Sequence, residues 1–181
     1  MTLLDSVRGR RSHPRVTADA PDHAALLPLV EAAASTADHG ALRPWRLIEL
    51  RGDARERLGD AFVAASALVD SEADTLRAKP MRASLLIAIV ARHEPSFKVP
   101  EWEQDAAASG IAHMLSLLLA DAGWGVFWRT GPLTRTDPVR LVHHLADNEK
   151  LLGWLYVGGI ADKTKPEGKA RFDPEAYLSV L

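Results

Sequence analysis

The stretch from Glu103 to Gly131 restricts what this chain can fold into more than any other. Glu103, Gln104 and Asp105 open it, small and straight-chain residues fill its middle, and Gly123 follows its end. These are helix start and stop signals, and they predict a helix from about Trp102 to Ala122, roughly 30 Å long. Ile111, Met114, Leu115, Leu117, Leu118 and Leu119 go most of the way round its axis, so the helix should be buried on several sides. Ser109, His113, Ser116 and Asp121 interrupt a run already shorter than the ~20 apolar residues a bilayer span needs. A helix buried all round needs more cover than one sheet supplies, and a second subunit is the simplest source.

A length of 181 residues with 47% apolar content predicts a single domain, residues 1–181, with a real core. Cysteine is absent, which excludes disulfides, thiolate metal sites, iron–sulfur clusters and cysteine nucleophiles. A formal charge of -2 and a pI near 6.4 give no global attraction to nucleic acid or an anionic membrane, so any anion site must be local. Met1 to Val7 has no basic segment followed by a long apolar one, and a cytoplasmic protein is expected.

Along the chain, Leu3, Leu4 and Val7 suggest a short helix ending near Arg8-Gly9. Pro14 then biases the basic cluster Arg10 to Arg15 toward extended chain, either as a solvated arm or as guanidinium forks and a hydroxyl gathered for one phosphate. Asp22 can cap a helix from about His23 to Ala37, which Pro28 would kink or shorten. Trp45 to Leu50 reads as a strand, Ala54 to Val69 as a helix, and Glu72 to Ala78 as a further helical piece. Leu85 to Ala91 is an apolar strand covered on both faces. Beyond the central helix, Val126 to Trp128 should be a strand, Thr136-Asp137-Pro138 should start a helix running to about Ala146, and Leu151 to Gly158 should be the last main strand. The remainder, Lys163 to Leu181, is polar with a hydrophobic end that would close a sheet edge or embrace a partner. The pattern predicts an α+β three-layer sandwich with a central mixed sheet flanked by helices.

The usual catalytic sets are missing. His143 and His144 are adjacent and diverge on a helix, His113 suits a core or interface role, and Ser12 and Ser35 lack a nucleophile elbow. Gly-Trp-Gly at 123–125 follows a helix rather than a strand, so it is not a dinucleotide fingerprint. Well-placed arginines without an acid–base or metal set suggest that a bound cofactor carries the reaction.

Several motifs, in order along the chain, resemble the FMN-dependent nitroreductase family, nearest its minimal-length single-domain branch. They are Arg10-Arg11-Ser12, Asp38-His39, Arg43-Pro44-Trp45-Arg46, Lys98-Val99-Pro100, Trp102-Glu103-Gln104 and Gly125 to Gly131. The resemblance implies a homodimer with FMN at the subunit interface and NAD(P)H as electron donor. It implies that Arg10 and Ser12 hold the FMN phosphate with Arg11 beside the ribityl chain. Trp128, Arg129 and Thr130 would complete the site from the opposite side of the pocket, Arg129 again near the phosphate, with Ser35 and His39 approaching the flavin. Hydride would pass through flavin N5 to a nitroaromatic or quinone, with no obligatory side-chain acid or base, metal, nucleic acid or membrane. Larger relatives often carry an amide where Arg43 stands, and its cation would either touch substrate or cofactor or face solvent. A non-catalytic flavin carrier or sensor is the alternative.

Overall fold

The computed structural model describes residues 2–161 and 172–181. Its elements in order are α1 (Leu3–Gly9), α2 (His23–Ala33), β1 (Trp45–Leu50), α3 (Asp53–Ala64), α4 (Asp70–Arg77), β2 (Leu85–Arg92), α5 (Glu101–Asp121), β3 (Trp124–Arg129), α6 (Asp137–Val142) and β4 (Glu149–Gly159). The strands form one sheet in the order β1-β2-β4-β3.

Period-2 alternation sorts the strand residues between two helical layers. Leu86, Ala88 and Val90 of β2 face Leu58 and Phe62 of α3, Leu76 of α4 and Val139 of α6. Leu85, Ile87 and Ile89 face Leu26 of α2 and Ala112, Leu115 and Leu119 of α5. Both faces of β2 are therefore covered, as its unbroken apolar run predicts, and the three-layer α+β sandwich holds.

The sheet is not mixed: among the described residues every neighbouring pair is antiparallel. β2 and β3 do run the same way, joined by the long crossover α5, but β4 lies between them and opposes both. A bulge interrupts β4, where Ile89 pairs with Gly153 and Val90 with Leu151, leaving Leu152 extra. Because of it Leu151 and Trp154, three apart, face the same layer.

Three helices stop earlier than expected. In α2 and α3 hydroxyls take the terminal carbonyls: Ser35 Oγ donates to Ala32 O and Thr36 Oγ1 to Ala33 O, each at 2.8 Å, and Ser66 Oγ donates to Val63 O at 3.0 Å. Helix α6 ends before His144, whose φ of 48° breaks the helical path. Pro28 stays inside α2 at an exposed position and does not break it.

Below α6, Arg46 Nε and Nη2 donate to Glu149 Oε1 and Oε2 at 2.6 and 2.7 Å, and Ala146 N–H adds a third bond at 3.0 Å. Glu149 is 5% exposed at its side chain, and the Arg46 hydrogen bonds hold its carboxyl below the ordinary glutamate value of 4.5. A depressed folded-state pKa means that the contribution is present above about pH 4.5 and is lost as pH falls through the folded value. Glu149→Gln should cost about 1.5 kcal/mol at pH 7, the low end for hydrogen bonds to a charged group, and urea melts should show the gap narrowing below pH 4.

Helix α5 is not sealed by its own chain. Trp102, Ala106 and His113 are exposed and Ser109, Gly110 and Leu117 half-buried, a stripe down one side. Leu3, Leu4 and Val7 of α1 are also exposed. The tail from Phe172 to Leu181 does not join the sheet: Phe172 stacks on Tyr177 at 5.0 Å, and Leu178, Val180 and Leu181 face outward. The polar stretch preceding it lies outside the described residues.

Candidate functional site

An extended arm brings the N-terminal basic cluster to the sheet. His13 N–H donates to Val126 O at 2.9 Å on the free edge of β3. The arm then crosses the sheet face, where Val16 pairs with Ile160 and Thr17 N–H reaches Gly159 O at 2.8 Å. Glycines make the crossing possible. A Cβ on Gly158 would sit 2.6 Å from Thr17 O, and one on Gly125 would sit 3.0 Å from Val16 Cγ1. Of the Gly-Trp-Gly at 123–125, only Gly125 lies under the arm; nothing approaches the Cβ position of Gly123.

Arg10 Nη1 lies 3.4 Å from Ser12 Oγ, so the expected phosphate donors are neighbours. Arg11 instead serves the backbone. Its Nη1 donates to Arg8 O, Gly9 O and Arg10 O at 2.8, 3.2 and 3.0 Å, closing the end of α1. Its Nε is buried without a partner among the described residues. Arg10, Arg11 and His13 line a 210 Å³ cleft with Asp5, Asp121 and Trp124. Burial, reinforced by the Arg10 charge, lowers the His13 pKa and favours its neutral ring.

Trp128, Arg129 and Thr130 sit at the end of β3, and strand alternation separates the first two. Trp128 turns toward α5, edge-on to His113 with ring centroids 5.0 Å apart. Arg129 turns to the other face, with its guanidinium 4.5 Å from the Phe127 ring centroid and 5.1 Å from that of Tyr156. All three line a 480 Å³ cavity whose wall is aromatic, from Phe62, Phe127, Trp154 and Tyr156, with Lys79 also on its lining. Trp128 Nε1 and Arg129 Nε are buried donors with no partner among the described residues. Burial pushes the Tyr156 phenol up to about 12, against the opposing pull of Arg129 and Arg82. A second cavity of 580 Å³ has Arg129 on its wall together with Arg15 and Arg82.

The other expected residues stand apart. Ser35 lies in the turn after α2, and His39 Nδ1 meets Glu103 Oε2 at 2.7 Å at the start of α5. Among the described residues neither is on the wall of the cavities described above for Arg10 and Arg129, and Arg10 and Arg129 line different ones of these. Arg43 is exposed, with φ 48° and its N–H held by Asp38 Oδ2 at 2.7 Å. Among the described residues there is no group of three or more potential metal ligands, and no helix is long and apolar enough to cross a membrane.

Sequence reasoning overlooked Arg15, Lys79 and Arg82 as lining residues. Arg15 carries one signal, its place as the last member of the basic cluster. Lys79 precedes a proline that breaks a helix, and Arg82 follows it by three residues, with no motif around either.

The description of the nitroreductase family matches residues 7–159. The chain belongs to the nitroreductase family. It is 32% identical over 161 residues to an Escherichia coli K12 protein provisionally named NAD(P)H nitroreductase YdjA, covering 87% of this chain and 88% of that one. A Haemophilus influenzae protein, also provisionally named an NAD(P)H nitroreductase, is 27% identical over the full length of both. Among solved structures, a nitroreductase-like family protein from Bacillus cereus superposes with a TM-score of 0.86 at 22% identity, covering 100% of this chain and 96% of its own. The FMN-dependent nitroreductase NfnB of Mycobacterium smegmatis, solved with NADPH, gives 0.77 at 16% identity over 98% and 97% of the two chains. These two confirm the fold, and the family makes this nitroreductase an oxidoreductase.

Proposed function

We propose that this nitroreductase binds FMN, takes hydride from NAD(P)H and passes electrons to a nitroaromatic, a quinone or a related acceptor. The observation that carries the reading is the cavity at the end of β3. It combines an aromatic wall with Arg129, whose buried Nε has no partner among the described residues. A flat, largely apolar ring edged with carbonyl and nitrogen acceptors fits such a lining, and an acceptor on that edge would relieve the cost of the orphaned Arg129 donor. Names of relatives that specify FMN and NADPH support the same cofactors.

Bound FMN would supply the hydride-accepting and electron-donating ring. The chain's own part is to hold and shield it. Arg129 offers a fixed positive charge beside accumulating negative charge, and its seat on Phe127 and Tyr156 limits its motion. Trp128, packed edge-on against His113 on the α5 face, would offer an apolar wall to a ring bound on that side and keep water from it. Arg10 and Ser12 provide a phosphate-compatible pair at the sheet edge. No side chain here needs to act as an obligatory acid or base.

The site takes a homodimer as its complete form. Among the described residues Ser35 and His39 are absent from the walls of the two cavities that Arg129 lines, while the open stripe of α5, the apolar face of α1 and the hydrophobic tail are left exposed. A second copy meets both needs. The test is the absorption spectrum of freshly purified protein, recorded without oxygen before and after adding NADPH. The expected result is a yellow protein that bleaches. A flavin that stays yellow favours the carrier or sensor reading, and a colourless protein with steeply salt-dependent DNA affinity favours an interaction protein.

A further inference from the structure

One buried histidine, bonded to a residue of the aromatic wall, has its protonation state dictated by its neighbours. His143 follows the last residue of α6 and is 2% exposed. Its Nδ1 lies 2.7 Å from Val139 O, a carbonyl that can only accept, so the ring hydrogen is on Nδ1. Its Nε2 lies 2.9 Å from Trp154 Nε1, an indole N–H that can only donate, so Nε2 keeps its lone pair. Only the neutral ring satisfies both. A proton on Nε2 sets two buried N–H groups against each other with no acceptor between them.

The indole held in this way belongs to the 480 Å³ cavity. Trp154 comes from β4, stands edge-on to Phe62 of α3 with ring centroids 5.4 Å apart, and lines the wall with Phe62, Phe127 and Tyr156. The charged groups around His143 come from β1, β4 and α6. Arg46 Nη2 donates to His143 O and His144 O, each at 3.3 Å, and Arg46 is tied to Glu149, while Arg140 turns to Ala146 O and Glu149 O. No carboxylate touches the His143 ring among the described residues. Burial lowers the His143 pKa below the ordinary 6.5, the charges of Arg46 and His144 add to this, and the Val139 carbonyl opposes it. With the folded-state value lowered, the contribution to stability is present above about pH 6.5 and declines as pH falls toward the folded value.

We propose that His143 is a positioning residue for the cavity: as a neutral ring it holds the Trp154 indole in the wall, and on gaining a proton it releases that indole and weakens the hold on a bound ring. Acid then loosens the cavity from the α6 side, through a residue that does not itself line it. That the bound ring is FMN rests on the flavin reading, and the histidine–indole contact does not.

The test follows the full chain by nitrogen NMR from about pH 7.5 down to about pH 5, with Trp154→Phe to assign the indole signal. At the upper end wild type should carry hydrogen on His143 Nδ1 alone and show a slowly exchanging Trp154 N–H. As His143 takes up its proton, that N–H should shift and exchange faster. His143→Gln places an amide oxygen at the reach of Nε2 and does not titrate, so the indole should stay protected throughout, whereas His143→Leu should leave it unprotected at every pH. FMN affinity, read by flavin fluorescence, is the second measurement. The FMN phosphate and His13 are common to wild type and His143→Gln, so the difference between their pH profiles isolates His143. Between the two ends of the range wild type should lose about fivefold more affinity than His143→Gln, the scale of one broken buried hydrogen bond. An indole signal unchanged across the range overturns the release, and identical FMN profiles in the two proteins overturn its effect on the cavity. A protein that binds no FMN at any pH overturns the flavin reading, and the indole signal still decides the role of His143.

Discussion

Arg129→Ala is expected to weaken FMN binding by about 2 to 3 kcal/mol, roughly 30- to 150-fold in Kd. The guanidinium sits over Phe127 and Tyr156, its Nε is buried and unpaired among the described residues, and it borders both cavities at the end of β3. A charge-assisted hydrogen bond made in such a setting stands near the upper end of its usual range, because water competes poorly there. Arg129→Lys keeps the charge but loses the fork, so it should recover only part of the affinity. Titration of apoprotein followed by flavin fluorescence measures all three. Indistinguishable constants would remove Arg129 from the site and with it the reading of this cavity.

Gly153→Val should produce the largest loss of stability, about 3 to 5 kcal/mol. Gly153 occupies the β4 bulge with φ 139°, a region that side chains with a Cβ rarely enter, and an added Cβ would fall 2.3 Å from Arg129 O and 3.0 Å from Trp128 Nε1. The obstructing atom is strand backbone, so the neighbour cannot simply swing away. For a domain of this size the midpoint of thermal unfolding should drop by roughly 10 °C. Any variant folded enough to study should also bind flavin poorly, because the clash displaces the same two residues that line the cavity. A melting curve matching wild type would show that the bulge relaxes freely.

The central helix, β1 and β2 were legible because their signals are local: apolar periodicity, charge at a helix start and proline or glycine at the ends. The early ends of α2 and α3 were present in the letters as Ser35, Thr36 and Ser66, but a hydroxyl stops a helix only where its geometry lets it take a carbonyl. The antiparallel character of the sheet was not legible, since it depends on β4 inserting between β2 and β3. Expected site residues were found as sequence neighbours, and that hid their divergence. Trp128 and Arg129 leave opposite faces of β3, as period 2 requires, while Arg11 turns back onto α1. Arg15 and Arg82 escaped notice because only the folded arm and the turn before β2 bring them to one hollow.

The bridge between Val16 and Ile160 also sets an order of events during synthesis. Val16 is made well before β4, so this end of the arm stays without its bridge until Ile160 has been added, although His13 can dock earlier on β3. A truncated product lacking β4 would therefore miss both the bridge and the Trp154 and Tyr156 wall of the cavity, and it is expected not to retain a flavin.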